Sequence, residues 1–278
     1  MNFEGPKGFY TDDFMFEVMG ISELPTLLYQ YTSIESLKKI LSSGTLRFSR
    51  LDTVNDPEEA MARDVPLAAS SVFVSCWSAT HTEQIPMWSM YGHDFGGVRI
   101  GLPVNMFIGR KEPRVFERGG ATITIDSRYS ITRKPPAMHT ESCAIIGPNK
   151  VYYSDDPFFR NRNLVYRHAG KAYFYPYDLG MVKGTNWSYE DEWRFKVAAL
   201  TFEGRFPDDE YFNKVTLDLA AYPVVPSALF IPLAPSVLDE LHVTLGPKAD
   251  GASLREVENT LSVHAPKATL KRSRVGIR

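Results

Sequence analysis

The first hundred residues carry a readable rhythm of apolar and polar positions. Leu27-Leu28-Tyr29-Gln30-Tyr31-Thr32 is a short apolar and aromatic run of strand type. Thr32 stands three residues before Glu35, the spacing of a capping box. Ile34, Leu37, Ile40 and Leu41 then recur at helical intervals until Gly44 supplies a stop. Thr45-Leu46-Arg47-Phe48-Ser49 alternates as a second strand. Residues 51–59 are rich in turn formers and acids and predict a loop entering a short helix. Residues 72–77 form a buried type of strand. Residues 86–92, with proline near the start and glycine at the end, predict a short helix, and residues 98–102 a further strand.

The middle of the chain, 103–171, is less regular, with strand patterns at 121–125 and 150–153. Residues 189–197 alternate again. As a strand they place Tyr189, Asp191, Trp193, Phe195 and Val197 on one face and Glu190, Glu192, Arg194 and Lys196 on the other, which is read as exposed. The tail predicts a strand at 241–246, a helix from about Ser253 to Val263 and a strand at 269–273. The fold class is therefore α+β: an N-terminal arm, 1–24, and a single domain, 25–278, around a split, bent sheet flanked by helices.

Composition narrows the field without choosing a function. The 278 residues are 44% hydrophobic, with 31 basic and 33 acidic side chains, which excludes disorder, a collagen-like fibre and a coiled coil. A formal charge of -2 gives no bulk attraction to nucleic acid or an anionic membrane. The two cysteines, Cys76 and Cys143, suit reduced thiols of a cytoplasmic protein. No signal peptide is expected, because Met1 to Pro6 lacks a basic segment before an apolar run. No membrane span is expected either, since Pro223, Pro226, Pro232 and Pro235 break the longest apolar stretch.

Common catalytic templates are missing. The sequence has no P-loop, no Gly-x-Gly-x-x-Gly and no Gly-x-Ser-x-Gly, and its six histidines lack zincin spacing, so no metal is expected. Cys76 near His81 and His93 reads as a nucleophile with a base, or as a small buried packing residue. Asn55-Asp56-Pro57-x-Glu59 reads as a polar functional loop or as a helix N-terminus capped by Asn55 or Asp56. Trp88-x-x-Tyr91 is a ligand platform or core. Glu190-x-Glu192 beside Arg194 is a carboxylate pair with a purpose or a solvated strand edge.

Taken together, these strings resemble the bacterial family catalogued as domain of unknown function 2971. They are Leu-Tyr-x-Tyr-Thr-Ser, Ser-Gly-x-Leu-x-Phe-Ser, Asn-Asp-Pro-x-Glu, Ser75-Cys76-Trp77-Ser78, Met87-Trp88-Ser89-x-Tyr91-Gly92, Tyr189-Glu190-x-Glu192-Trp193-Arg194 and Leu245-Gly246-Pro247-Lys248. More distantly, the opening block resembles the DNA-modifying DarT toxins, whose chain starts with a His-x-Thr strand, a helix and a glycine turn. That resemblance implies an ADP-ribosyltransferase fold with NAD, as substrate, in the cleft of a split sheet. It sets Gln30 and Thr32, around Tyr31, at the His and Thr positions that face the NAD ribose and amide. Gln30 departs from the histidine, although an amide also donates to a hydroxyl. It further implies an aromatic floor for nicotinamide from Trp88 and Tyr91 and a Glu190-x-Glu192 pair of which Glu192 is catalytic; Asn55, in the polar loop, is a further candidate for contact with NAD.

The chemistry gives those residue types a reason. Cleaving nicotinamide from ribose leaves an oxocarbenium-like centre, which a carboxylate stabilises. A second carboxylate orients or deprotonates the acceptor. Arg50, Arg99 or Arg194 would meet the pyrophosphate. The expected activity is transfer of ADP-ribose by a bacterial toxin or anti-phage effector, with an antitoxin as a possible partner. The alternatives are a non-catalytic binding domain of the same fold, or an NAD glycohydrolase. Arg110, Lys111, Arg114, Arg128, Arg133, Lys134, Arg160, Arg162 and Arg167 interleave with Tyr129, Tyr152, Tyr153, Phe158 and Phe159. That mixture favours nucleic acid, RNA first, over protein as acceptor.

Overall fold

A computed structural model describes residues 14–107, 114–118, 121–125, 131–132, 138–142, 145–168, 171–203, 219–220 and 223–277. Its strands are β1 (Leu27–Thr32), β2 (Thr45–Arg50), β3 (Val72–Ser78), β4 (Val98–Pro103), β5 (Arg114–Arg118), β6 (Ala121–Ile125), β7 (Ile131–Thr132), β8 (Met138–Ser142) and β9 (Ile146–Lys150). There follow β10 (Tyr152–Tyr153), β11 (Val165–His168), β12 (Lys171–Phe174), β13 (Val182–Lys183), β14 (Glu192–Glu203), β15 (Ala228–Pro232), β16 (His242–Leu245) and β17 (Thr269–Arg272). The helices are α1 (Ile34–Ser43), α2 (Ile85–Met90), α3 (Pro157–Arg160) and α4 (Gly251–His264). The fold is α+β, as the alternation of patterns predicts.

An 11-stranded sheet runs β17-β16-β4-β1-β3-β14-β8-β7, with β2 and β15 attached at β3 and β9 at β14. Its pivot is β3. One edge of β3 pairs along its whole length with β14, from Val72↔Ala198 to Ser78↔Glu192. The other edge is divided. β2 holds Phe73 and Val74, while β1 reaches only Ser78 through Tyr29. The sheet thus forks, leaving residues 75–77 between two diverging strands that α1 bridges.

Local sequence explains the bridge. The cap of α1 is Ser33, whose hydroxyl accepts the Ser36 N–H at 3.1 Å, rather than Thr32. Thr32 is still paired with Val98 in the sheet, so the capping role passes one residue along. Gly44 ends the helix at φ 63°, returning its N–H to the Ile40 carbonyl at 2.9 Å.

Alternation along β3 and β14 feeds two cores. Phe73, Trp77, Trp193, Phe195 and Val197 join Leu37 and Leu41 of α1 and Val257 and Leu261 of α4. On the opposite face Val72 and Val74 pack with Leu51, Ala68, Leu164 and Leu179. Each large side chain so buried contributes about 1.5–3 kcal/mol. Residues 14–24, expected as an arm, send Met15 into the first core, and residues 1–13 lie outside the described residues.

Two expectations for 189–197 are corrected. The strand begins at Glu192, because residues Thr185–Glu190 form a tight helical turn that ends at Asp191 in the left-handed region, φ 45°. Asp191 is held there by Thr80 Oγ1 at 2.7 Å and by Lys150. The Glu192, Arg194 and Lys196 face is also not exposed. The second core and its loops roof it, and all three side chains are buried. No described helix is long and apolar enough to cross a membrane.

Candidate functional site

The fork between β1 and β2 opens into a cleft of about 590 Å³. β1 supplies Gln30, Tyr31 and Thr32, β2 supplies Arg47, α1 supplies Lys39, and the exposed edge of β3 supplies Cys76 and Trp77. Gln30 sits where β1 leaves β3, and its Nε2 donates to the Cys76 carbonyl at 2.9 Å. A side-chain amide thereby replaces the strand pairing that the fork removes.

At the floor lies a buried network of five charges. Arg194 grips Glu192 with two parallel bonds, Nε to Oε1 at 2.6 Å and Nη2 to Oε2 at 2.9 Å. Its Nη1 donates to Glu59 and to the Gly180 carbonyl. Lys183 Nζ reaches Glu190 Oε2 at 2.6 Å and Glu192 Oε2 at 3.3 Å. Glu190 Oε1 accepts the Tyr91 hydroxyl at 2.6 Å, and that hydroxyl accepts Asn55 Nδ2 at 3.2 Å. The Glu192 N–H donates to Tyr153 Oη at 2.9 Å. Gly180 is required by this packing. It sits at φ +66°, and a Cβ would fall 2.7 Å from Leu51 Cδ1 and 3.1 Å from Arg194 Nη1.

Three carboxylates face two cations, so one carboxyl is left to share a proton. Burial, then the neighbouring Glu192 charge, push Glu190 up to about 7. Burial also opposes charge on Glu192, but Arg194 and then Lys183 outweigh it and hold Glu192 down at about 2. Burial raises Glu59 against the pull of Arg194. Burial opposes charge on Lys183 too, yet Glu192 and its neighbours raise it above the ordinary lysine range. Two carboxyls bridged by one lysine are thus tuned apart: at neutral pH Glu192 is ionised while Glu190 stands near its midpoint. Burial and Glu192 push the Cys76 thiol well above its ordinary range, which is the opposite of an activated thiolate.

Of the residues singled out in the sequence, Gln30, Tyr31, Thr32, Asn55, Tyr91, Glu190, Glu192 and Arg194 converge on the cleft. Arg50 does not line it, being bound to Asp52 at 2.7 Å and the Val224 carbonyl at 3.1 Å. Trp88 is also apart: fully buried, it packs edge-on against Tyr31 with centroids 4.9 Å apart and donates Nε1 to Glu83 at 3.0 Å. Arg194 is committed to its carboxylates, whereas exposed Arg47 stands at the rim.

The sequence reading missed Lys183 and the network role of Glu59. Lys183 is the lone charge closing the apolar run Leu179 to Val182, next to Gly184, which is the faint signal it left. Of the two caps the sequence offers for the turn carrying Glu59, the structure uses Asp56, which accepts the Glu58 N–H at 3.0 Å. Among the described residues no group of three or more His, Cys, Asp or Glu is arranged to hold a metal ion. Arg110, Lys111, Arg128, Tyr129, Arg133 and Lys134, from the basic stretch, lie outside the described residues, and Arg160 is paired with Glu58.

No curated protein and no solved structure matches the chain. The segment that does find a match runs from α2 through the turn carrying Glu190 to the first residues of β14, and so contains most of the charged floor. Over residues 87–195 the chain matches the family described as "Protein of unknown function (DUF2971)", the family its motifs resemble.

Proposed function

We propose that the chain is an NAD-consuming ADP-ribosyltransferase, with the forked-sheet cleft as its active site. The observation that carries this reading is the pair Glu190 and Glu192, differently tuned and set together beneath a cleft lined by Tyr31, Tyr91 and Asn55. Glu192, kept ionised, supplies negative charge to the anomeric carbon as the bond to nicotinamide breaks. Nicotinamide leaves with the bonding electron pair. The acceptor nucleophile forms the new bond to the anomeric carbon, and its proton passes to Glu190, whose raised pKa suits a base working near neutrality. Tyr91 orients Glu190 and offers a ring to the nicotinamide. Gln30 and Thr32 face the ribose, and Arg47 at the rim is placed for the pyrophosphate.

The acceptor we favour is nucleic acid, RNA first, and the biological setting a toxin or defence effector restrained by a partner protein in the cytoplasm. A specific observation also supports a non-catalytic binder: both Glu192 oxygens are already taken by Arg194 and Lys183. An NAD glycohydrolase would use the same groups, with water as the acceptor.

Labelled NAD incubated with separate pools of RNA, single-stranded DNA and cell protein distinguishes these. Label in RNA or DNA supports the proposal. Label only in protein replaces the acceptor, free ADP-ribose alone indicates the hydrolase, and no turnover indicates the binder. Glu190→Gln should lower turnover by about 10²-fold, and expression of the wild-type chain should slow growth more than expression of that variant at matched protein level.

A further inference from the structure

A second pocket of about 380 Å³ lies against β4 and β17, lined by His81, Thr82, Glu83, Arg99, Lys271, Arg272, Arg274 and Val275. Register builds it. Tyr31, Arg99, Thr244 and Lys271 are successive partners across β1, β4, β16 and β17, so their side chains rise from one face of the sheet.

Arg99 is the unusual member. It is 1% exposed, yet forms no ion pair among the described residues. Its one hydrogen bond runs from Nη2 to the Thr80 carbonyl at 2.6 Å, and its buried Nε meets no acceptor. The guanidinium lies 3.7 Å from the centroid of the Tyr29 ring, which fixes its plane. Burying an arginine without a counter-charge is costly, so a site that keeps one is built for an anion.

The surroundings agree. Arg99, Lys271 and Arg274 surround a single carboxylate, Glu83, while Arg272, also in the lining, donates its Nη1 to the Ala249 carbonyl at 3.2 Å. Neutral donors already occupy that carboxylate: Trp88 Nε1 at 3.0 Å, Ser273 Oγ at 2.5 Å and the Arg274 N–H at 3.1 Å. Its charge still acts on Arg99, but from beyond ion-pair distance, and one carboxylate does not balance the several cations that line the pocket.

We propose that this pocket binds a phosphate group of a nucleotide or of a single-stranded nucleic acid. Arg99 supplies the buried fork and Lys271 and Arg274 the exposed cations. The pocket shares β1 with the cleft, since Tyr29 and Tyr31 line the cleft and carry the Arg99 guanidinium.

The test needs no NAD, so it stands or falls apart from the transferase reading. Affinity is measured for inorganic phosphate, for a 5′-phosphorylated short RNA and for the same RNA without its terminal phosphate, at two salt concentrations. The wild-type chain should bind a phosphate-bearing probe, and the double change Lys271→Ala with Arg274→Ala, both on exposed side chains, should weaken it at least about tenfold and flatten the salt dependence. Arg99→Lys, which keeps the charge but loses the fork, should weaken it as well. If phosphate competes and only the phosphorylated RNA binds, the source is a terminal phosphate. If both RNAs bind equally and lose affinity in the double variant, it is a backbone phosphate. No binding of any probe, or equal binding by wild-type and double variant, overturns the proposal.

Discussion

The charged floor of the cleft and the Arg99 pocket solve the same physical problem in opposite ways. Both bury an arginine almost completely. Arg194 is closed in by Glu192, Glu59 and the Gly180 carbonyl, so its charge is satisfied within the chain. Arg99 has one carbonyl and two tyrosine rings. A closed network holds a fold together and sets the protonation of its members, while an open one holds a place for something else.

The largest effect expected from this contrast is on stability. Arg194→Met strands Glu192 and Glu59 in the interior and should cost about 3–5 kcal/mol, read by urea denaturation. Arg99→Met strands no carboxylate and should cost about 1 kcal/mol. Equal losses would erase the distinction.

Next comes Glu192→Gln. On an exposed strand face it would be silent, but here it removes the carboxylate that Arg194 and Lys183 share, and should cost about 1–3 kcal/mol. Thermal unfolding at neutral pH checks this. It also makes Glu190→Gln the sharper probe of chemistry.

The pH dependence follows with signs that differ between the two carboxyls. Glu190 has a folded pKa near 7, above its unfolded value of 4.5, so its contribution weakens the fold as pH rises from 4.5 to 7. Glu192, at about 2, stabilises above 4.5, and that contribution is lost as pH falls from 4.5 toward 2. Unfolding free energy should therefore decline less steeply between pH 4.5 and 7 in Glu190→Gln, the remainder coming from Glu59, which burial also raises. Turnover, requiring ionised Glu190, should rise about tenfold per pH unit below 7 and then level off. A flat rate profile would remove Glu190 as the base. Of the same order as Glu192→Gln is Gly180→Ala, which should cost about 1–3 kcal/mol through its left-handed backbone and the crowding of Leu51, measured by the shift in melting temperature.

What the sequence revealed and hid follows from range. The β1–α1–β2 opening was legible because strand alternation, the helical spacing of Leu37 and Leu41 and the Gly44 stop are local signals. Of the eight singled-out residues that line the cleft, Asn55, Tyr91, Glu190, Glu192 and Arg194 belong to polar, aromatic and acidic motifs that stand out against their surroundings, whereas Gln30, Tyr31 and Thr32 rest on the resemblance of the opening block. Burial of Glu192 and Arg194 was not legible, since the polar alternation of β14 looks the same whether water or a loop roof covers it. Lys183 was missed because its partners lie seven and nine residues ahead across a turn, at no helical or strand period. Residue type alone does not tell a committed side chain such as Arg50 or Trp88 from a free one.

The left-handed turn at Asp191 divides the two glutamates by more than geometry. Glu192 is a member of the central strand, so change there is filtered first by whether the chain folds. Glu190 stands just outside that strand, on a turn, where a substitution touches the cleft before it touches the sheet. If the proposed chemistry is right, a lineage that gave it up would be expected to drift at 190 while keeping 192 and 194. Intact strand charges beside a changed turn would mark a descendant that kept the scaffold and lost the proposed activity.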